Sequence, residues 1–256
     1  MFSSKLKSVS GISLMELTVA MVVGSIVVSA ALQSQRYFMK GMSRENEKAQ
    51  IQRDIITVSD LLEKDIRMSG FGLPGNGIKT VPSEVTSDEL FIYTNSDRLQ
   101  TELATDAASG SDRIYVNDAQ VIMQENWICL KETDTAYLEI TGTGISGGGP
   151  DTVYLAATLP KTYTASATTV YPAGCIYWHI ENDSSCYLTR KNNGLEVKLS
   201  AMLDTMNITP KDDLGTAVNQ ISSARVLTVM FGGKVGSGPS AVLMAESTEV
   251  NIRNRL

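Results

Sequence analysis

From Ile12 to Leu32 the chain runs for 21 residues with a single charge, Glu16. As a helix that length rises about 31 Å, one hydrocarbon thickness. No other charged residue lies between Ser8 and Gln35. A charge in a spanning helix costs ~2.5–3.5 kcal/mol on insertion scales. A plain anchor would gain by losing it, so Glu16 is expected to have a partner elsewhere. The plainer alternative places it at the interface, with its carboxylate in water.

The apolar run does not end in a turn. No proline follows until Pro74, and residues 33–69 are rich in Gln, Arg, Lys, Glu, Met and Leu, which are good helix formers. Ile51, Ile55, Val58, Leu62 and Ile66 recur at spacings of three and four, which is one helical face. The pattern predicts one helix from about Ser13 to Ser69, roughly 85 Å long if unbroken. Gly24 and Gly41 are its weak points, and two helices hinged near Gly41 are the alternative. The helix should stop at Ser69-Gly-Phe-Gly-Leu-Pro-Gly75, where glycines and a proline cannot continue it. Residues 70–75 also match G-x-G-x-x-G. That fingerprint must follow a strand and open a helix; here it follows a helix and contains Pro74.

Beyond Glu89 the pattern changes to short runs rich in β-branched and aromatic residues, separated by Gly, Asn, Asp and Pro. The expected strands are Leu90–Thr94, Arg113–Val116, Ala119–Met123, Trp127–Leu130, Ala136–Thr141, Thr152–Ala156, Thr168–Tyr171, Ile176–Ile180, Tyr187–Arg190, Arg225–Phe231 and Glu246–Ile252. Thr141 to Asp151 reads as a flexible hairpin loop, and Leu199 to Met206 as one or two helical turns. No second boundary interrupts the region after Gly70. The fold class is α+β: a long N-terminal helix, its first half transmembrane, packed on a mainly antiparallel β-sheet domain.

Little in the sequence points to catalysis. The one histidine, His179, lies between Trp178 and Ile180 and reads as a packing or surface residue. No metal site is expected from a lone His and cysteines without C-x-x-C spacing. Neither G-x-S-x-G nor a phosphate-loop motif occurs, and no cofactor is expected. Acidic pairs such as Glu181/Asp183 and Asp212/Asp213 read as solvated turns. Cys175 and Cys186 flank a hairpin-like segment with its turn at residues 182–185, making them the first choice for a disulfide. Cys129 with Cys175 is the second choice, and three free thiols the third.

The first eleven residues, M-F-S-S-K-L-K-S-V-S-G, are short, polar and basic. A secretory signal would be cut after its apolar region; here the plausible cut, after Gly11, lies before it. Gly11-Ile-Ser-Leu-Met-Glu16 resembles the class III signal of type IV prepilins, usually written G-F-T-L-[IVL]-E. Ile12 replaces the usual Phe, and the apolar segment lacks the proline of many major pilins. Asp65-Ile-Arg-Met-Ser-Gly-Phe71 is similar to the end of the long helix in PilW-type minor pilins. Weaker likenesses to that type are the tyrosine-bearing strands ending in Tyr187-Leu-Thr-Arg190 with its glycine turn, and the close Glu249 to Leu256.

The resemblance implies a type IV pilin-like fold. Residues 1–11 would be the leader, 12–32 the transmembrane half of the helix, 33–69 its amphipathic half, and 70–256 a β-rich periplasmic or extracellular head. A prepilin peptidase would cut between Gly11 and Ile12, and the Ile12 amine would be N-methylated. Glu16 would neutralise that amine on a neighbouring subunit. Opposite charges in a low dielectric attract strongly, and each is costly alone.

The implied function is that of a minor pilin that assembles or primes a type IV pilus, with the tip as a candidate position. Its partners would be other pilins of the filament, the peptidase, the inner-membrane assembly platform and, before assembly, lipid. The alternatives are a larger J-type pseudopilin of a type II secretion system and a signal-anchored periplasmic enzyme, which would have no use for Gly11 or Glu16. Lys5 and Lys7 predict a cytoplasmic N-terminus before assembly, with the head periplasmic and later extracellular on the pilus. Loss of the leader leaves 20 Lys and Arg against 28 Asp and Glu, a balance that argues against a nucleic-acid partner.

Overall fold

The computed structural model describes residues 13–80, 88–181, 187–192, 194–218, 224–235 and 241–252. The chain divides into two compact units, Met1–Ala49 and Gln50–Leu256. One helix, α1 (Leu14–Met68), contributes to both. Gly24 and Gly41 lie within it, so neither breaks the helical assignment. Among the described residues α1 is the one helix long and apolar enough to cross a membrane.

Thirteen strands follow among the described residues: β1 (Ile78–Thr80), β2 (Glu89–Thr94), β3 (Thr101–Glu102), β4 (Arg113–Val116), β5 (Trp127–Lys131), β6 (Thr135–Gly144), β7 (Asp151–Leu155), β8 (Thr169–Glu181), β9 (Tyr187–Asn192), β10 (Leu195–Ser200), β11 (Thr205–Lys211), β12 (Val226–Val235) and β13 (Val242–Asn251). A large sheet has the order β1-β2-β8-β5-β6-β7-β4, with β3 and β9 also on β8, and β10 on β9. The order β11-β12-β13 forms a second sheet. Pairing is antiparallel throughout. The class is therefore α+β, with the long helix packed on antiparallel sheets.

The expected apolar stripe is the centre of the head. Ile51, Ile55, Val58, Leu62 and Ile66 are at most 3 % exposed. They share one cluster with Leu90, Ile92, Ile176 and Trp178 of the large sheet and with Ile208, Val229 and Phe231 of the small one. The helix face thus supplies the apolar surface that both sheets need to bury. Polar ties fix its rotation: Ser200 donates to Asp54, and Thr248 to Ser59.

Asp65 lies on the same face and is 1 % exposed. Arg190 of β9 donates to both of its oxygens, Nε to Oδ2 at 2.7 Å and Nη2 to Oδ1 at 2.9 Å. The Trp178 indole N–H donates to Oδ2 at 2.9 Å. Removing one partner of such a pair leaves the other buried and uncompensated, at a cost of about 3–5 kcal/mol. Asp65→Ala should therefore lower stability in denaturant unfolding by about that much, and Asp65→Ala with Arg190→Met by clearly less. Arg190→Met alone should also cost stability, and a double-variant loss equal to the sum of the two single losses would show that the two residues are not coupled.

At the helix end the glycines serve chain geometry. Gly70 and Gly72 adopt φ of +68° and +70°. A Cβ on Gly70 would lie 2.3 Å from the Gly75 carbonyl, and one on Gly72 2.1 Å from that of Asn95. Gly70 N–H donates to Tyr93 and Asn95 N–H to Phe71. The G-x-G-x-x-G match is a backbone plug against the end of β2.

Several strand expectations need correction. Ala119–Met123 is a turn, because Asp118 accepts from Gln120 N–H, Asp151 from Ala119 N–H, and Ile122 bonds back to Ala119. The expected strands Thr168–Tyr171 and Ile176–Ile180 merge into one, β8, which begins at Thr169 and passes through Pro172. That proline lies where one edge of β8 changes from β3, paired to Val170, to β2, paired to Gly174. A missing N–H is best tolerated where a ladder is interrupted. Leu199–Met206 is not helical: it holds the end of β10, a bend and the start of β11. The loop expected over Thr141–Asp151 shortens to 145–150, since β6 continues to Gly144 across an irregularity between Ile140 and Gly142.

Candidate functional site

The first turn of α1 is built by Ser13 and Glu16. Ser13 Oγ accepts from Met15 N–H at 3.3 Å, and Glu16 Oε2 accepts from Ser13 N–H at 3.0 Å. This is a capping box: two donors that the helix leaves unsatisfied are held by side chains three residues apart. The carboxylate also sits where the helix dipole favours negative charge. Glu16 thus has a partner within its own chain, a role the apolar run alone does not reveal. The S-x-x-E spacing was the available signal.

Every residue from Ser13 to Asn46 is exposed. The large apolar residues between Leu14 and Leu32 are 48–80 % exposed, an arrangement suited to lipid rather than water. Polar groups in the run are satisfied locally. Thr18 Oγ1 donates to the Met15 carbonyl at 2.9 Å, and Ser25 Oγ to that of Val22 at 2.8 Å. Such back-bonding removes most of the cost of a hydroxyl in hydrocarbon. Glu16 is then the one ionisable side chain on the segment. Gly11 and Ile12, the expected cleavage residues, lie outside the described residues.

Of the cysteines, Cys129 and Cys175 are buried. Burial pushes both thiols up to about 12, so they stay protonated and poorly nucleophilic at neutral pH. A Cys129–Cys175 bridge does not form. Cys129 faces Tyr171 across the β5/β8 ladder, and four more residues along β8 put Cys175 about 13 Å away, beyond disulfide reach. Cys186 lies outside the described residues, so the Cys175–Cys186 expectation does too. The strands on either side of residues 182–186 pair, β8 with β9 from Glu181↔Tyr187 to Ile176↔Asn192.

The His179 ring stacks on Tyr177 with centroids 4.4 Å apart. Its nitrogens lie 2.8 Å from Glu181 Oε2 and 2.9 Å from Thr189 Oγ1. Packing and hydrogen bonds therefore occupy both faces of its chemistry. Its neighbours continue a row of rings that sequence reading missed: Tyr177 on Phe91 at 4.4 Å, Phe91 beside Tyr93 at 6.4 Å, and Tyr93 on Tyr137 at 4.1 Å. The alternation Phe91-x-Tyr93 and Tyr177-x-His179 carried the signal, because period two puts these rings on the sheet face opposite Leu90, Ile92, Ile176 and Trp178.

Comparison of the chain with protein-family models, curated proteins and solved structures finds no match.

Proposed function

We propose that this chain is a minor pilin similar to the PilW type, which assembles or primes a type IV pilus. One observation carries the reading. A membrane-length apolar segment with a carboxylate in its first turn continues as one helix into the stripe that forms the core of an antiparallel head. A plain anchor can cap its helix with a neutral side chain and needs no charge there. In this reading the leader is removed after Gly11 on the cytoplasmic face, and the Ile12 amine becomes a methylated cation. The subunit waits in the inner membrane with its head in the periplasm. It then leaves the bilayer sideways into a filament of other pilins, drawn by the assembly platform. Glu16 accepts the amine of a neighbour and fixes the axial register.

The capping box fits this sequence of events. Before assembly the Ser13 N–H keeps the carboxylate from standing alone in lipid; in the filament the neighbouring cation becomes the stronger partner. Mass spectrometry of membrane-extracted protein should find N-methylated Ile12 as the first residue. An intact Met1, or a start beyond Ala30, would contradict the proposal.

A further inference from the structure

The aromatic face of the head contains a hollow made by the sheet topology. Along one edge of β8, β5 pairs with residues up to Ala173, and β9 takes over from Ile176. The two pairings meet at Gly174 and Cys175. On β8 the side chains of this face are small there, Ala173 and Cys175, while Tyr177 stands beyond. Register places Phe91 and Lys191 on either side of Tyr177, and Glu139 beside Trp127. The result is a cleft of about 260 Å³ floored by Phe91, Trp127, Cys175 and Tyr177 and rimmed by Asn126, Glu139 and Lys191. The three rings are half-buried, and the rim residues are exposed.

Trp127 differs from the other rings. The rest stand nearly parallel, whereas Trp127 is turned 54° from Phe91 and 58° from Tyr93. It is tilted against its neighbours, half-buried, and stands outside the parallel stack. The rim pairs one acid with one base and adds a neutral amide. A small anion would meet Glu139 and a small cation Lys191, so neither sign is favoured. What fits is a neutral ring with an apolar C–H face for the indole and hydroxyls on its edge for the amide, carboxylate and ammonium. A glycosidase of the usual kind needs two carboxyl groups across the bond, and among the described residues Glu139 is the one acidic side chain lining the cleft.

We infer that this cleft is a binding site for a neutral pyranose ring. This goes beyond assembly and does not depend on it: the head carries the site whether or not the chain joins a filament.

The full-length protein, held in a detergent without a sugar headgroup, should be titrated with the methyl glycosides of glucose, galactose and N-acetylglucosamine. Tryptophan emission is the readout. The chain has two tryptophans, and Trp178 is fully buried against Asp65, so a saturable change should vanish in Trp127→Phe. At least one glycoside is expected to saturate in the millimolar range, with Asn126→Ala and Lys191→Ala each weakening it about tenfold at unchanged melting temperature. Both positions are exposed, so a folding defect in one leaves the other as the test. No saturation by any of the three up to ~50 mM, far above a millimolar Kd, would overturn the inference. So would undiminished affinity in the variants, or saturation by choline or acetate instead.

Discussion

Replacing Ile55 and Leu62 together with aspartate should abolish cooperative folding of the head. The two side chains are 3 % and 0 % exposed, and both lie with Ile51 on the helix face that meets both sheets. Truncating a buried Leu or Ile costs about 2–5 kcal/mol, and an unpaired buried carboxylate adds more. Two such changes equal or exceed the roughly 5–15 kcal/mol that holds an ordinary domain. Thermal melting of a fragment starting near Met39 should lose its sharp transition. Ile56→Asp is the control: Ile56 lies next in sequence but is 58 % exposed, and its variant should melt as wild type does. An unchanged transition in the double variant would show that the helix is not part of the core.

The helix was legible because its signals are local. Spacing by three and four identifies the stripe, and Ser69 to Gly75 contains the residues that stop a helix. The strands were legible where alternation and turn residues agree, as at β2, β4 and β5. They were not where local chemistry points two ways. Pro172 divides β8 on paper, yet the strand passes through it where one edge changes partner. Pro210 and Asn207 disguise β11, which tolerates a proline because it is the edge of its sheet. Ala119–Met123 has the apolar content of a strand, but Asp118 and Asp151 turn its backbone.

The long-range contacts could not be read at all. Asp65 and Arg190 are 125 residues apart, and nothing local to either one names the other. The fold brings the two stretches together in one buried ion pair. Likewise the hollow beside Trp127 depends on two strands sharing one edge of β8, a property of topology. At the candidate assembly site, Glu16 stands out in the sequence by its cost in a membrane. The cap it forms with Ser13 does not, because a lone charge in an apolar run is the stronger signal and masks the helix start beside it.

That cap makes one substitution more informative than removal. Glu16→Gln retains a side-chain oxygen that can accept from Ser13 N–H, so the capping box survives, but the negative charge is gone. Glu16→Ala removes both. Neither should impair insertion, since each relieves the bilayer of a charge worth ~2.5–3.5 kcal/mol. The decisive measurement is the number of filaments on cells whose one copy of this protein carries Glu16→Gln, with its membrane level measured in the same cells. The account predicts a normal membrane level and few filaments, as for Glu16→Ala, because the amine of the adjoining subunit has lost its counter-charge. Filaments at wild-type number that contain the Glu16→Gln subunit would contradict it, leaving Glu16 as a helix cap with no part in assembly.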